Sequence, residues 1–389
     1  MGDRPVAPPE VRRIASAGLP DGPRSIRIAA DRWPTVLSGL RFCRLTGFAV
    51  GAWKDGTLEL TELQRDELLE HHRSAMLLAL AIEQRLLRLQ ISLQAAQVRA
   101  VVLKGPAMAH AAYPEPSLRS FGDLDLLVSA TQWRRACQVL RTSGYERDLP
   151  EPRPRFDERF GKSATHTDEQ GYQVDLHRTL VLGAFGLWLD PEELLGHTGT
   201  FTLAGRNVER LDTTGMLLNA ALHASLGSSP PLLVPLRDVA QLAHDPGVDW
   251  GRLAAWSARW HLAAPLAFAF RSASEHLEVG LPAAARAMAE IVSPNAERRA
   301  LAAYTERRRT GGLALTATRA IPGVRAKAAY TFGMLVPSRE FLRARAGRGS
   351  KPTYRARWSV PMRWVGRRPR NHGTENLMSA HSIDHGTSE

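Results

Sequence analysis

Strand-like segments are confined to one stretch of this 389-residue chain, and helical patterns fill most of the rest. Short apolar runs bounded by turn residues lie between Ala100 and His177, which is the pattern of buried strands. After about Asp212 they give way to apolar residues at three- and four-residue steps, separated by short Gly- and Pro-containing turns. This distribution predicts an α/β (α+β) fold with a small mixed sheet, followed by an α-helical domain.

The segments outside the sheet region divide the chain into four predicted parts. Residues 61–98 carry a helical pattern without glycine or proline, which predicts one long helix or two with a bend. Residues 1–56 have weak periodicity and cannot be assigned, and the Arg-, Gly- and Pro-rich end is typical of a disordered tail. We therefore expect an N-terminal extension (1–56), an α/β domain (57–210), an α-helical domain (211–345) and a basic tail (346–389).

Composition narrows the class of protein. No apolar run approaches the ~20 residues that span a bilayer, and we expect no secretory signal at the N-terminus. The chain has two cysteines, Cys43 and Cys137, which are too few for a disulfide framework or a zinc site. This predicts that the protein resides in a reducing cytoplasm. The net charge of +12 predicts an anionic partner, although a solvated, arginine-rich surface would give the same excess.

Two carboxylates on one predicted strand carry the first functional signal. Asp123 and Asp125 alternate with Leu124 and Leu126, so both carboxylates would project from the same face. Such neighbours repel each other, and a bound Mg²⁺ relieves the repulsion while sharing oxygen ligands with substrate phosphates. On this argument Asp125→Asn would keep or raise the melting temperature of the metal-free protein. The alternative is an acidic edge that faces solvent.

A third carboxylate lies in a later predicted strand. Asp175 stands in an alternating segment that forms a hairpin with residues 163–167, and it would join the acidic pair if the two strands are neighbours. Three converging carboxylates can hold metal for phosphoryl or nucleotidyl transfer. His177 projects from the same face as Asp175, where it could orient a ligand or be a structural histidine.

Basic and glycine residues upstream suggest a phosphate site. Lys104 and Gly105 end a predicted strand and open a helix, a turn that can present backbone N–H groups and a cation to an anion. Arg119 could pair with the carboxylates or with a triphosphate, or lie on the surface. Lys162 follows a glycine as in a P-loop, but Phe156 occupies the position of the required first glycine, so we reject that motif.

The order of these motifs is distinctive. Along the chain they read LKG at 103–105, YP at 113–114, RSFGDLDLLV at 119–128, GY at 144–145 and VDLH at 174–177. This order resembles the uncharacterised nucleotidyltransferase family often found beside bacterial biosynthetic clusters, which looks like a branch of the DNA polymerase beta-type superfamily. The resemblance covers about residues 62–345.

The resemblance implies a Mg²⁺-dependent (or Mn²⁺-dependent) enzyme. It implies metal-binding and catalytic roles for Asp123, Asp125 and Asp175, and contact of Gly105 and Lys104 with nucleotide phosphates. The wider superfamily has Gly-Ser or Gly-Gly at that turn, closer to the acidic pair. The expected activity is transfer of a nucleotidyl group from an NTP such as ATP to a small-molecule, peptide or protein acceptor in the bacterial cytoplasm.

Other classes of function remain open at the level of sequence. A catalytically inactive module of the same fold would bind nucleotide, nucleic acid or a partner protein without turnover. The basic tail could contact nucleic acid non-specifically. The segment around Asp123 also resembles the catalytic loop of small-molecule kinases, but Phe121 and Val128 replace its His and Asn.

Overall fold

A computed structural model describes residues 7–305 and 310–346 of the chain. The fold is mixed α/β, as the sequence predicts, with 18 α-helices and nine strands in the part described. The expectation of a disordered tail falls, apart from residue 346, outside the described residues.

The N-terminal extension, which the sequence left unassigned, is folded against the rest of the chain. It contains α1 (Pro9–Ser16), β1 (Ile26–Arg27), α2 (Trp33–Phe42) and α3 (Thr46–Lys54), and β2 (Leu58–Glu59) follows directly after it. The two short strands form a parallel pair. Buried side chains such as Ile14 and Leu40 join the same hydrophobic cluster as the C-terminal helices.

The long helical pattern forms one helix, α4 (Glu62–Ala95), of 34 residues. Thr61 caps it, because its side chain accepts a hydrogen bond from the Gln64 backbone while the Gln64 side chain accepts one from the Thr61 backbone.

A seven-stranded mixed sheet forms the centre of the molecule. Its strands are β3 (Val101–Val102), β4 (Leu124–Leu127), β5 (Tyr145–Arg147), β6 (Ser163–Asp168), β7 (Gln173–His177), β8 (Thr198–Leu203) and β9 (Arg206–Leu211). Their order in the sheet is β5-β6-β7-β4-β3-β9-β8. Strand β4 runs parallel to β7 and antiparallel to β3. The predicted hairpin is present as β6 and β7.

Short helices connect the strands: α5 (Pro106–Ala111), a 3-10 turn (Pro116–Leu118), α6 (Trp133–Thr142), α7 (Phe156–Phe160), α8 (Ala184–Trp188) and α9 (Pro191–Leu195). The alternation in β4 separates two cores. Leu124 and Leu126 pack with α4 and α6 on one face of the sheet, and Leu127 packs with Leu103 and the C-terminal helices on the other. Asp125 lies on this second face because it alternates with Leu124 and Leu126.

The hairpin of β8 and β9 was not predicted. Its strands pair in antiparallel register across Ala204 and Gly205, which both have positive φ (47° and 76°). Positive φ at both central residues is typical of a two-residue hairpin turn. The alternating apolar residues Phe201, Leu203 and Val208 are the signal that could have revealed it.

The C-terminal part is helical, as predicted. Its helices are α10 (Thr213–Leu226), α11 (Leu233–Ala243), α12 (Trp250–Arg259), α13 (Ala263–Leu277), α14 (Ala283–Ala289), α15 (Asn295–Thr305), α16 (Thr310–Ala320), α17 (Val324–Leu335) and α18 (Arg339–Ala346). One hydrophobic cluster includes residues from the N-terminal extension, the sheet and these helices. The domain boundaries inferred from the sequence stay a prediction.

Candidate functional site

The two predicted acidic strands are parallel neighbours. In the register of β4 and β7, Asp125 is paired with Asp175 and Leu127 with His177. Each of Asp125, Asp175 and His177 offers a ligand atom, and these atoms lie within 4.8 Å of one another. The described residues contain one such group, and it could hold a metal ion.

Asp125 is the buried member of the group, with 1% of its side chain exposed. Its Oδ1 lies 2.9 Å from His177 Nε2. Its Oδ2 forms an ion pair with Lys104, whose Nζ lies 3.1 Å away. Burial alone would raise the pKa of Asp125, but Lys104 and His177 outweigh it and hold the pKa far below its usual range. Asp125 is therefore ionised.

His177 is oriented by its other ring nitrogen. Its Nδ1 lies 3.2 Å from the carbonyl oxygen of Thr179, and a carbonyl only accepts, which assigns the proton to Nδ1. In the neutral tautomer Nε2 then presents its lone pair toward the Asp125 carboxylate, which is favourable only with a cation between the two atoms, and in the protonated form Nε2 donates to Asp125. The first arrangement is that of a histidine metal ligand held by a backbone carbonyl.

Asp175 is held from the neighbouring strand. Thr165 is its register partner in β6, and the Thr165 hydroxyl donates a 2.5 Å hydrogen bond to Asp175 Oδ1. The Asp175 side chain is half-buried, in contrast to Asp125. The group therefore opens to solvent on the side of Asp175.

Asp123 lies beside this group rather than in it. Its carboxylate is 33% exposed, with Oδ2 3.8 Å from Lys104 Nζ and Oδ1 3.9 Å from Arg44 Nη1. The structure thus brings Asp125 and Asp175 together with His177, and Asp123 together with Asp125 around Lys104. A metal-binding role for Asp123 stays a prediction.

Lys104 and Gly105 lie directly against the acidic strand. Burial opposes the charge of Lys104, but the carboxylates of Asp123 and Asp125 outweigh it and raise the pKa of Lys104. Gly105 has φ +62°, and a Cβ there would lie 3.3 Å from the Asp123 carbonyl oxygen. The turn opens α5, a six-residue helix whose first residue, Pro106, has no backbone N–H.

Arg119 lies in a buried ion pair with Asp238 of α11 and not with the carboxylates of the acidic strand. Its side chain is 6% exposed, and its Nη2 lies 2.9 Å from Asp238 Oδ2 in α11. Tyr113 donates a 2.7 Å hydrogen bond to the same carboxylate. Arg119 thus pairs neither with Asp123 nor with Asp125, and it is not on the surface. Its contact with nucleotide stays a prediction.

Two further basic residues lie near the carboxylates, and the sequence did not predict their positions. Lys162 immediately precedes β6 and is partly buried; burial and the charge of Lys104 lower its pKa, while Asp125 and Asp175 act in the opposite direction. Arg44 reaches Asp123 from the turn between α2 and α3. No spacing links these residues to the acidic motifs, because only the tertiary fold brings them there.

Helix α10 covers the site from the helical part of the chain. Asn219 donates a 2.9 Å hydrogen bond to the carbonyl oxygen of Leu103, the residue before Lys104. One turn later, burial together with the charges of Lys104 and Lys162 holds the pKa of His223 well below its usual range. His223 is therefore a neutral imidazole close to the two lysines.

A mixed sheet that brings acidic side chains together from adjacent strands is the arrangement of a nucleotidyltransferase-type protein. The model of the family described as "Uncharacterised nucleotidyltransferase" matches residues 29–278. The chain belongs to this family, which confirms the resemblance inferred from the order of its motifs.

Among solved structures, the chain is similar to an antigenic nucleotidyltransferase-like protein from Paracoccidioides brasiliensis. The two are 15% identical, and the match covers 54% of this chain and 94% of the other, with a TM-score of 0.30. No curated protein matches the chain. Within the described residues, no helix combines the length and apolar character needed to cross a membrane.

Proposed function

We propose that this chain catalyses the divalent-metal-dependent transfer of a nucleotidyl group from an NTP to an acceptor hydroxyl or phosphate. The observation that carries the proposal is the register pairing of Asp125 with Asp175, which places two carboxylates and His177 within reach of one ion. The buried Asp125 Oδ2 is paired with a cation, the Lys104 ammonium at 3.1 Å, and a charged carboxylate oxygen also suits a divalent metal.

The proposed ligands are Asp125, Asp175 and His177, with Asp123 as a further candidate. When bound, Mg²⁺ or Mn²⁺ would neutralise charge on the nucleotide phosphates and favour attack at phosphorus. Mn²⁺ is the more useful probe, because the group offers an imidazole nitrogen besides carboxylate oxygens.

The chemical step that we propose is a single displacement at the α-phosphorus. The acceptor oxygen forms a bond to that atom, the bond to the bridging oxygen of the β-phosphate breaks, and pyrophosphate leaves with the electron pair. The proton of an acceptor hydroxyl passes to the Asp175 carboxylate, which Thr165 orients and which is open to solvent.

The residues proposed to hold the triphosphate are the cations around the acidic strand. Lys104, Lys162 and Arg44 approach the carboxylates from three separate segments. Gly105 allows the close packing of its turn on Asp123, and a direct contact of Gly105 or Arg119 with phosphate remains part of the proposal. We take ATP as the first donor to test.

The acceptor side is proposed to lie between the sheet and α10, because His223 and Asn219 approach the Lys104 turn from that helix. A small molecule, a peptide or a protein could supply the acceptor oxygen. Non-specific nucleic-acid contact through the basic tail, and a bacterial cytoplasmic location, are further proposals. The free thiols of Cys43 and Cys137 are consistent with a reducing compartment.

The first experiment measures the melting temperature and pyrophosphate release with Mg²⁺ or Mn²⁺ and each of the four NTPs. The wild-type protein should show a metal-dependent shift with at least one NTP and release pyrophosphate when acceptor pools are added. Asp125→Asn should lose both signals. Asp148→Asn is the matched control, because Asp148 accepts a hydrogen bond from Thr167 on the same sheet but lies outside the ligand group.

Two results would count against the enzyme. A metal-dependent shift without pyrophosphate in any acceptor pool would favour the alternative, a module that binds nucleotide without turnover. Equal pyrophosphate release by Asp125→Asn and the wild type would remove Asp125 from the reaction.

A further inference from the structure

Lys104 interacts with the carboxylate that is proposed to bind metal. Its Nζ lies 3.1 Å from Asp125 Oδ2 and 3.8 Å from Asp123 Oδ2. The charge of Asp175 also acts on this ammonium group. A lysine side chain thus supplies positive charge to the same oxygens that a divalent cation would use.

We propose that Lys104 is an internal counter-ion that competes with the divalent metal for Asp125, so that tight metal binding requires a polyphosphate to take over the Lys104 ammonium. This inference rests on the proposed function and adds to it a coupling between metal binding and polyphosphate binding. The metal and the polyphosphate would bind cooperatively, and neither would bind tightly alone.

The competition follows from the burial of Asp125. Because 1% of its side chain is exposed, water cannot screen its charge, and a cation must balance it in the absence of ligand. Lys104 provides that balance. A second, divalent cation at Asp125 Oδ2 would share lone pairs with the ammonium and be repelled by its charge.

The exchange follows from the difference between the two side chains. Asp125 is fixed in the sheet by its register partners and by His177, whereas Lys104 ends in a flexible four-carbon chain and is 23% exposed. Polyphosphate oxygens would accept the ammonium hydrogens that Asp125 gives up. By thermodynamic reciprocity, polyphosphate would strengthen metal binding by the same factor as metal strengthens polyphosphate binding.

The test titrates Mn²⁺ alone into the protein and follows unbound Mn²⁺ by electron paramagnetic resonance. Lys104→Met should bind Mn²⁺ about tenfold or more tightly than the wild type, because it removes the competing charge. Lys104→Arg should stay close to the wild type. Lys162→Met is the matched control, since it removes a neighbouring charge that forms no ion pair with Asp125, and its effect should be several-fold smaller.

A second measurement uses inorganic tripolyphosphate, the part that all NTPs share. In the wild type, Mn²⁺ and tripolyphosphate together should raise the melting temperature by more than the sum of their separate shifts. In Lys104→Met, Mn²⁺ alone should produce most of the shift. If Lys104→Met fails to fold, Lys104→Gln removes the same charge and replaces it in the test. The double variant Lys104→Met, Asp125→Asn should bind no Mn²⁺.

The outcomes separate the two claims. If the wild type and Lys104→Met bind Mn²⁺ equally tightly through Asp125, the competition is wrong and the proposed metal site stands. If Mn²⁺ binds to neither protein, with or without tripolyphosphate, both the metal site and the competition are wrong.

Discussion

The charges around Asp125 differ from those that the sequence predicts. Neighbouring carboxylates alone would repel, and neutralising one of them would then stabilise the metal-free protein. The structure instead balances Asp125 with Lys104 at 3.1 Å and His177 at 2.9 Å. Removing its charge therefore leaves an ammonium group, not a carboxylate, with fewer partners.

We accordingly expect Asp125→Asn to lower the free energy of unfolding of the metal-free protein by about 1–3 kcal/mol, the usual cost of losing a buried hydrogen bond to a charged group. Urea unfolding without divalent metal measures the difference, with Asp148→Asn as the control. A variant as stable as the wild type, or more stable, would restore the repulsion argument.

His166 provides a pH-dependent contribution to stability that is independent of the site. Its side chain is buried in β6, and burial lowers its pKa to about 4. Because the unfolded chain takes up this proton near the usual pKa of about 6.5, the contribution is complete above that pH. It is lost as the pH falls toward the pKa of the folded state.

We therefore expect the stability advantage of the wild type over His166→Gln to shrink by about 2.5 kcal/mol between pH 7 and pH 4.5. Urea unfolding of both proteins across this range measures it, and groups common to both cancel in the difference. Parallel curves would mean that the pKa of His166 is not lowered.

At the scale of elements, strand alternation was enough to predict β4, the hairpin of β6 and β7, and the face of the sheet that carries the carboxylates. From the sequence, Asp175 could join the acidic pair only if β4 and β7 were neighbours. In the sheet the two strands are parallel neighbours. The hairpin of β8 and β9 was missed because its polar positions obscured the apolar alternation. The N-terminal helices were missed because tertiary packing stabilises them: α1 packs against α11 and α13, and α2 and α3 pack against α4.

The Gly105 turn is the connecting element on which the site most depends. Its φ of +62° and ψ of −112° are unfavourable for any residue with a Cβ. We expect Gly105→Ala to destabilise the protein by about 1–3 kcal/mol and to weaken the metal-dependent shift with NTP, because the turn carries Lys104.

Gly144→Ala is the matched control for this change. Gly144 also has positive φ, but a Cβ there would meet no atom of the described residues within 4 Å. It should lose stability through its backbone conformation and keep the shift with NTP. Equal loss of that shift in both variants would show that it responds to general stability rather than to the Lys104 turn.

At the scale of the whole molecule, the site is assembled from parts that are distant in the chain. The sequence identified Asp125, Asp175 and Lys104 because each lies in a local pattern of strand and turn. It did not identify Arg44, Lys162 or the position of α10, because tertiary packing alone places them near the carboxylates. The buried pair of Arg119 with Asp238 has the same origin, since it joins the start of the acidic motif to α11.

The central claim is transfer of a nucleotidyl group at a site that requires Asp125. The most direct test follows which labelled phosphate of an NTP reaches the acceptor. Each NTP, labelled at either the α- or the γ-phosphate, is incubated with Mg²⁺ or Mn²⁺, acceptor pools, and either wild-type protein or Asp125→Asn. We predict that the wild type moves the α-label onto an acceptor and releases the γ-label as pyrophosphate, and that Asp125→Asn does neither. Transfer of the γ-label to an acceptor, transfer of the α-label by Asp125→Asn, or no transfer from any NTP would contradict the account.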